Sequence, residues 1–246
     1  MAGHSKWANI KHRKGAADKK RAKIFTKLIK EIQVASKEGG PEPDNNPRLR
    51  SAITNAKAAN MPKDNIERAI KKGSGNDGED YIELTYEGYG PHGVAIMVEC
   101  TTDNQNRTVA AVRSYFTKHN GSLGVNGSVD YMFDRKGVFI IPKGHLNEDD
   151  FTLEVIDAGA EDVEFDGDFI SVTTDFESFG AMQKKLDQMG MEPESANLER
   201  IPQTYISLDV ESAQKVMKLI DMFEDDDDVA KVFHNLELNE EILESL

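Results

Sequence analysis

The sequence has little cysteine and tryptophan, one residue of each, and it has no long apolar run. A single cysteine, Cys100, excludes an internal disulfide and any zinc site built from several cysteines. The residues before it, 95 to 99, are mostly apolar, which predicts a buried strand and an inert core thiol. No stretch approaches the roughly 18 apolar residues of a membrane span, and the first charges are not followed by the apolar run of a secretory signal. We therefore expect a cytoplasmic protein with no membrane partner.

Motifs for catalysis, metals and nucleotide cofactors are also lacking. The six histidines are scattered, without metal-ligand spacing to another His, Asp or Glu, and there is no G-x-S-x-G motif. Residues 88–93 match G-x-G-x-x-G, but Gly93 leads into the apolar segment 94–98, whereas a dinucleotide site needs a helix there. We predict a loop between two strands at this point. The protein is predicted not to be an enzyme and to carry no cofactor and no metal.

Charge is divided unequally along the chain, and the overall balance of −14 hides this division. Residues 1–72 carry 18 Lys+Arg against 7 Asp+Glu, a balance of +11, whereas residues 73–246 carry 12 against 37, a balance of −25. Phosphate polyanions are attracted by the first part and repelled by the second. Nucleic acid is therefore the predicted partner, and we expect the N-terminal end to hold it.

The first thirty residues concentrate the positive charge, with ten Lys and Arg against the single acid Asp18. A solvated helix face usually interleaves both signs, so this tract favours contact with phosphates. Trp7 lies in the same tract, where its ring either stacks on a base or pins the tail to the domain surface. The predicted nucleic-acid-binding residues are Lys6, Trp7, Lys11, Arg13, Lys14, Lys19, Lys20, Arg21, Lys23, Lys27 and Lys30.

The first predicted helix has an apolar face and a basic face. The apolar residues recur at the i, i+3, i+4 and i+7 spacing of a helix and are Phe25, Leu28, Ile29 and Ile32. The opposite face carries the four lysines Lys20, Lys23, Lys27 and Lys30. We expect the apolar face to dock on the domain and the basic face to be free for phosphates.

Two further short helices are predicted before the charge changes sign. Asn46 and Pro47 supply an N-cap and a first-turn proline for one helix, and Pro62 opens another that ends at Gly73. Three short helices with one apolar face each predict a small helical domain. Residues 73–80 have the composition of a linker, so we place the end of this domain there.

The rest of the chain mixes strands with helices. Strands 81–87, 94–101 and 128–133 and helix 106–119 are predicted to form a β-β-α-β unit that lacks a second helix. The pattern from residue 137 to 201 then has the order β-α-β-β-α-β, which is ferredoxin-like, with a hairpin at Asp166-Gly167.

A final helix and strand, predicted at 210–223 and 229–233, complete the first of these units if the chain returns to it. The predicted fold class is α+β, with an N-terminal helical domain followed by two α+β (ferredoxin-like) domains, the last inserted in the second. The predicted domains are residues 1–75, residues 80–134 plus 204–246, and residues 135–203.

Two polar segments invite functional interpretations. Residues 224–228, Glu-Asp-Asp-Asp-Asp, lack the alternating ligands and the glycine of a calcium loop. We interpret them as a solvated loop that repels polyanions, and the alternative is that they restrain the basic tail. Residues 103–108 begin a helix with capping residues, which explains the Asp, Asn and Thr there but leaves Arg107 unexplained.

Many segments of the sequence resemble the YebC/PmpR family of bacterial proteins. The similar segments span essentially the whole chain and are residues 1–14, 23–27, 46–50, 86–91, 103–108, 127–129, 219–222 and 227–235. The resemblance implies a non-enzymatic cytoplasmic protein with the domain arrangement given above. It also implies one of two functions: a DNA-binding transcriptional regulator, or a ribosome-associated translation factor. The second is the role of mitochondrial relatives that activate synthesis of a cytochrome c oxidase subunit, and of members linked to translation through proline runs.

The sequence leaves three candidate functions: a DNA-binding regulator, a factor that docks on ribosomal RNA, and an enzyme with an acidic cleft. Lysine-rich faces contact phosphates without reading bases, which suits ribosomal RNA at least as well as an operator. The family's usual name favours DNA. We predict a monomeric, nucleic-acid-binding regulator of gene expression, with DNA as its partner and the ribosome or its RNA as the alternative.

Overall fold

The structure is a computed structural model and describes residues 21–75 and 80–246. The described chain divides into two compact units. The first contains residues 21–27, 80–134 and 201–246, and the second contains residues 28–75 and 135–200. The three domains predicted from the sequence, with their boundaries, stay predictions. None of the helices in the described ranges combines the length and apolar character that a membrane crossing requires.

The elements follow the predicted alternation. The helices are α1 (Arg21–Gly39), α2 (Pro47–Ala58), α3 (Lys63–Ser74), α4 (Gln105–Lys118), α5 (Glu148–Ile156), α6 (Phe179–Gln188), α7 (Val210–Glu224) and α8 (Glu240–Glu244). The strands are β1 (Ile82–Tyr89), β2 (Ala95–Thr102), β3 (Ser122–Leu123), β4 (Phe133–Pro142), β5 (Ala160–Asp166), β6 (Phe169–Asp175), β7 (Ser195–Pro202) and β8 (Val229–His234). The α+β class is confirmed.

One buried amide joins the first two helices. Asn46 Oδ1 accepts a hydrogen bond from the Leu49 N–H at 3.0 Å, which confirms the predicted N-cap of α2. Asn46 Nδ2 donates to the carbonyl oxygens of Ala35 at 2.7 Å and Gly40 at 2.9 Å. The same side chain therefore satisfies the C-terminal end of α1 and the N-terminal end of α2, where helices leave backbone groups unpaired.

Helix α3 reaches α1 through Gly73, near its C-terminal end. A Cβ atom at Gly73 would lie 2.3 Å from the Gln33 carbonyl oxygen, so this close approach requires glycine. Ile66 and Ala69 are buried on the same helix. The predicted apolar stripe of α3 is thus a packing face.

The first unit is built on an antiparallel sheet with the strand order β3-β1-β2-β8. The side chains of β2 alternate between two clusters, with Ile96 and Val98 in the cluster formed with α4 and α7, and Met97 in the opposite one. Phe116 of α4 and Phe223 of α7 meet with ring centroids 4.9 Å apart. Because β8 pairs with β2 after the whole segment 135–200, the predicted insertion is confirmed.

The second sheet has the order β5-β6-β4-β7, and α5 and α6 contribute to its apolar core. Its element order, β-α-β-β-α-β, is the predicted ferredoxin-like one. The predicted hairpin joins β5 to β6, where Gly167 has a φ of +58°. On the edge strand β7, the Asn55 side chain of α2 accepts from the Ala196 N–H at 3.1 Å and donates to Asn197 Oδ1 at 2.9 Å. The Ala196 N–H of this edge strand is thereby paired.

The predicted strand at residues 128–133 is wrong. The edge strand is the two-residue β3, and residues 130–132 form a short 3-10 turn before β4. The cause is Glu87, only 3% exposed, whose carboxylate accepts from the N–H groups of Gly127 (2.7 Å), Val129 (2.7 Å) and Asp130 (2.9 Å). These three bonds require a turn, since extended backbone directs successive N–H groups to opposite sides. Val129 is buried as a consequence.

Replacing Glu87 with glutamine should destabilise the first unit. The glutamine carbonyl oxygen can still accept, but its NH₂ group would face a backbone N–H, leaving a buried donor unsatisfied. The expected loss is about 2 kcal/mol in the free energy of unfolding, measured by urea denaturation. Glu83→Gln on the same strand is the control, because that side chain is exposed and should lose less than about 0.5 kcal/mol. Equal losses in the two variants would show that the carboxylate does not organise the turn.

Candidate nucleic-acid interface

The predicted binding residues are only partly within the described chain. Seven of them lie outside the described residues: Lys6, Trp7, Lys11, Arg13, Lys14, Lys19 and Lys20. Arg21 is the first residue of α1, and Lys23, Lys27 and Lys30 follow on the same helix. The structure therefore describes the geometry of the last part of the basic tract.

Lys23 and Lys27 are held by the acidic loop, which we define as residues 224–228. Lys23 Nζ donates to the Asp225 carbonyl oxygen at 2.9 Å and lies 3.6 Å from Asp225 Oδ1. Lys27 Nζ donates to the Glu224 carbonyl oxygen at 2.6 Å. The two lysines are four residues apart on α1, so both reach the same end of α7. Cations are favoured there because the last carbonyl groups of a helix carry its negative dipole end.

The basic face of α1 is therefore not free at Lys23 and Lys27, contrary to the expectation from the sequence. Burial against the loop lowers the pKa of Lys27, while the charges of Glu224, Asp226 and Asp227 oppose that shift. The ammonium group has exchanged water for carbonyl oxygen. Lys30 is half-buried on the same helix.

The acidic loop is itself fixed by two carboxylates. Asp226 Oδ2 accepts from the Tyr115 hydroxyl at 2.9 Å, and Asp226 Oδ1 accepts from the Asp228 N–H at 2.8 Å. Burial and this bond raise the pKa of Tyr115 to about 12. The loop is thus bound to α4 as well as to the end of α7.

Asp228 forms the second and more buried attachment. Its Oδ2 accepts from Arg107 Nη2 at 2.6 Å, from Arg107 Nε at 3.0 Å and from Thr108 Oγ1 at 3.1 Å. Hydrogen bonds to Asp228 and then to Asp103 raise the pKa of Arg107 above its ordinary value. This ion pair explains Arg107, which helix capping does not.

The interpretation of residues 224–228 as a solvated loop is thus wrong for most of its length. The Asp228 side chain is 9% exposed, and Glu224, Asp225 and Asp226 are half-buried, which leaves Asp227 as the exposed member. The contacts with Lys23 and Lys27 agree with the alternative, in which the loop restrains the basic segment.

Cys100 lies in the core of the same unit, as predicted. It is 2% exposed, and burial together with the charges of Asp226 and Asp228 raises the pKa of its thiol to about 12. A thiol of that pKa is almost entirely protonated at neutral pH, and the thiolate is the reactive form. The buried-thiol prediction is confirmed.

The structure also bears on the Gly-rich segment and on metal binding. Gly88 and Tyr89 end β1, and the rest of the Gly-rich segment 88–93 connects β1 to β2, so the predicted loop between strands is confirmed for residues 90–93. Among residues 21–75 and 80–246, no three His, Cys, Asp or Glu side chains form a group suited to a metal ion.

The sequence interpretation missed Glu87 and Asp228 as organising residues. Both belong to segments that carry the family resemblance, and each binds another such segment: Glu87 binds residues 127–130, and Asp228 binds residues 107 and 108. For Glu87 the available signal was a carboxylate within a predicted strand, because buried carboxylates require partners. Asp228 offered no such signal, because it ends a run of five acids.

Taken together, these features define an α+β protein with a basic N-terminal helical part and two sheets. In chain order, the segment that forms the second sheet precedes the last strand of the first sheet. One family model, the TACO1/YebC protein N-terminal domain, matches residues 5–76, and another, the TACO1/YebC second and third domain, matches residues 81–236. The chain belongs to the TACO1/YebC family, which confirms the resemblance seen in the sequence.

Similar proteins match over almost their whole length. A probable transcriptional regulatory protein of Amoebophilus asiaticus is 56% identical, covering 98% of this chain and 100% of its own. A protein of the same description from Geotalea uraniireducens is 54% identical over 100% of both chains. The crystal structure of a conserved hypothetical protein from Aquifex aeolicus superposes with a TM-score of 0.81 at 47% identity, covering 92% of this chain and 94% of that one.

Two neighbouring substitutions test the attachment of the acidic loop. Asp228→Asn should lower the free energy of unfolding by about 2 kcal/mol, because a neutral amide oxygen in place of Oδ2 accepts more weakly from the Arg107 guanidinium and removes the buried charge that is paired with it. Asp227→Asn removes the same charge from an exposed position and should change it by less than about 0.5 kcal/mol. Urea denaturation measures both, and equal values would contradict a structural role for Asp228.

Proposed function

We propose that this protein is a nucleic-acid-binding regulator of gene expression that holds phosphates along its basic N-terminal segment. The observation that carries the proposal is the charge division, +11 over residues 1–72 against −25 over the remainder. Polyanion binding depends on local positive charge, so the net charge of −14 does not oppose it. The names of the relatives, which are regulatory rather than enzymatic, support the same class of function.

DNA is the first partner we propose, because the relatives are named transcriptional regulators. The proposed contacts are lysine to phosphate, which give affinity but little sequence specificity. Ribosomal RNA is the second candidate partner. It is favoured by the strongly acidic remainder of the chain, which would oppose wrapping by a long duplex.

Crosslinking in cells, followed by sequencing of the bound nucleic acid, decides between these partners. Discrete peaks at promoters are expected for a transcriptional regulator. Enrichment of ribosomal RNA without such peaks would reject DNA and support the translation role. Recovery of neither above a non-crosslinked control would reject nucleic-acid binding altogether.

The basic tract can be tested in vitro through the salt dependence of binding. The variant Lys11→Gln/Lys14→Gln/Lys19→Gln leaves Lys23 and Lys27, and therefore their contacts with the acidic loop, intact. If all three lysines meet phosphates, the slope of log K against log salt should become shallower by about two to three. Fluorescence anisotropy with a labelled oligonucleotide at several salt concentrations gives this slope.

A matched control separates the tract from net charge. Lys118→Gln/Lys184→Gln/Lys218→Gln removes three exposed lysines outside the basic tract and changes the net charge equally. This control should leave the slope within about 0.5 of wild type. An equal reduction of the slope in both variants would contradict a binding role that is confined to the N-terminal tract.

A further inference from the structure

In the contact between α1 and the acidic loop, two lysines that are predicted to bind phosphates are bound instead to oxygen atoms of the protein itself. Lys23 and Lys27 donate to carbonyl oxygens at 2.9 and 2.6 Å, and Asp225 adds a carboxylate at 3.6 Å from Lys23. Phosphate oxygens offer the same chemistry, namely charged or strongly polar acceptors for an ammonium group. A lysine ammonium held in this way must release the loop before it can approach a phosphate closely.

The loop does not depend on the lysines for its shape. Asp226 is bound by Tyr115, and Asp228 is bound by Arg107 and Thr108, all of them in α4. The Asp228 carbonyl oxygen also accepts from the Thr101 N–H of β2 at 2.8 Å. The loop therefore presents its acceptors to α1 from a fixed position, and the two lysines can leave without unfolding it.

The contact is also weak enough to be exchanged. The Lys23 and Asp225 side chains are 44% and 41% exposed, so water and salt screen their attraction. Lys27 is more buried, but its main partner is a backbone carbonyl oxygen. Neither contact has the buried, multiply bonded geometry of Asp228.

We propose that the acidic loop is an intramolecular competitor of nucleic acid, which holds Lys23 and Lys27 in the unliganded protein and yields them to phosphates on binding. This inference rests on the function proposed above and adds a regulation of the same site. The measured association constant is then the intrinsic constant multiplied by the fraction of molecules in which the lysines are released. Every nucleic acid that must displace the loop is affected by the same factor.

Neutralising three acids of the loop whose charges act on Lys23 or Lys27 tests the proposal. The loop variant Glu224→Gln/Asp225→Asn/Asp227→Asn spares Asp226 and Asp228, which fix the loop. A control variant, Asp149→Asn/Asp157→Asn/Asp168→Asn, removes three exposed acids of the second unit and changes the net charge equally. The loop variant should bind a labelled 30-nucleotide single strand or 30-base-pair duplex about fivefold more tightly than the control variant does.

A second background separates competition from simple repulsion of nucleic acid by the loop. With Lys23→Gln/Lys27→Gln also present, the loop variant should bind no more tightly than the control variant in that background, because there are no lysines left to release. A tightening that persists there would reject competition in favour of repulsion. Equal affinities of loop and control variants in the wild-type background would reject competition by the carboxylates of the loop.

Weaker binding by the loop variant would overturn the proposal in the opposite direction, since it would mean that the loop positions the lysines for phosphate. Circular dichroism and urea denaturation of each variant establish that the comparison is between folded proteins. If the wild-type protein binds neither probe, the proposed function fails. That outcome is distinct from binding that is indifferent to the loop.

Discussion

The buried carboxylate of Asp228 is the constraint on which the first unit depends. After the segment 135–200, the chain must return so that β8 pairs with β2, and Asp228 is the residue immediately before β8. Its side chain binds Arg107 and Thr108 in the first turn of α4, where the positive end of the helix dipole also favours an anion. Its carbonyl oxygen continues the pairing with β2 through Thr101. Asp228 thus fixes the start of β8 relative to both β2 and α4.

This attachment changes the meaning of the acidic loop. A run of five acids looks uniform in the sequence, but the structure divides it by task. Asp226 and Asp228 are hydrogen-bonded to α4 and hold the loop in place. Glu224 and Asp225, at the C-terminal end of α7, supply the carbonyl oxygens that accept from α1. Because the two groups differ in position and not in charge, no count of charges separates them.

Local sequence patterns predicted helices, strands, caps and turns well wherever the feature depends on residues that are close together in the chain. The N-cap at Asn46 and the β5–β6 turn at Gly167 were readable because capping and positive φ depend on the residue itself. The turn after β3 was not, since Val129 is buried like a strand residue but is placed by Glu87, some forty positions earlier in the sequence. The partner of Lys27 is more distant still, at Glu224. Pairings of this range come from topology, which local patterns do not encode.

The same distinction applies to the charge asymmetry itself. A balance of +11 over residues 1–72 counts Lys23 and Lys27 as available cations, although both are already held by oxygen acceptors within the first unit. When a phosphate replaces such an internal partner, counterions leave the nucleic acid, but others gather around the exposed carboxylates of the loop. The net release per lysine is then smaller than for a lysine that was previously surrounded by water. A salt dependence therefore reports the exchange of partners, and it counts fewer phosphate contacts than the protein makes.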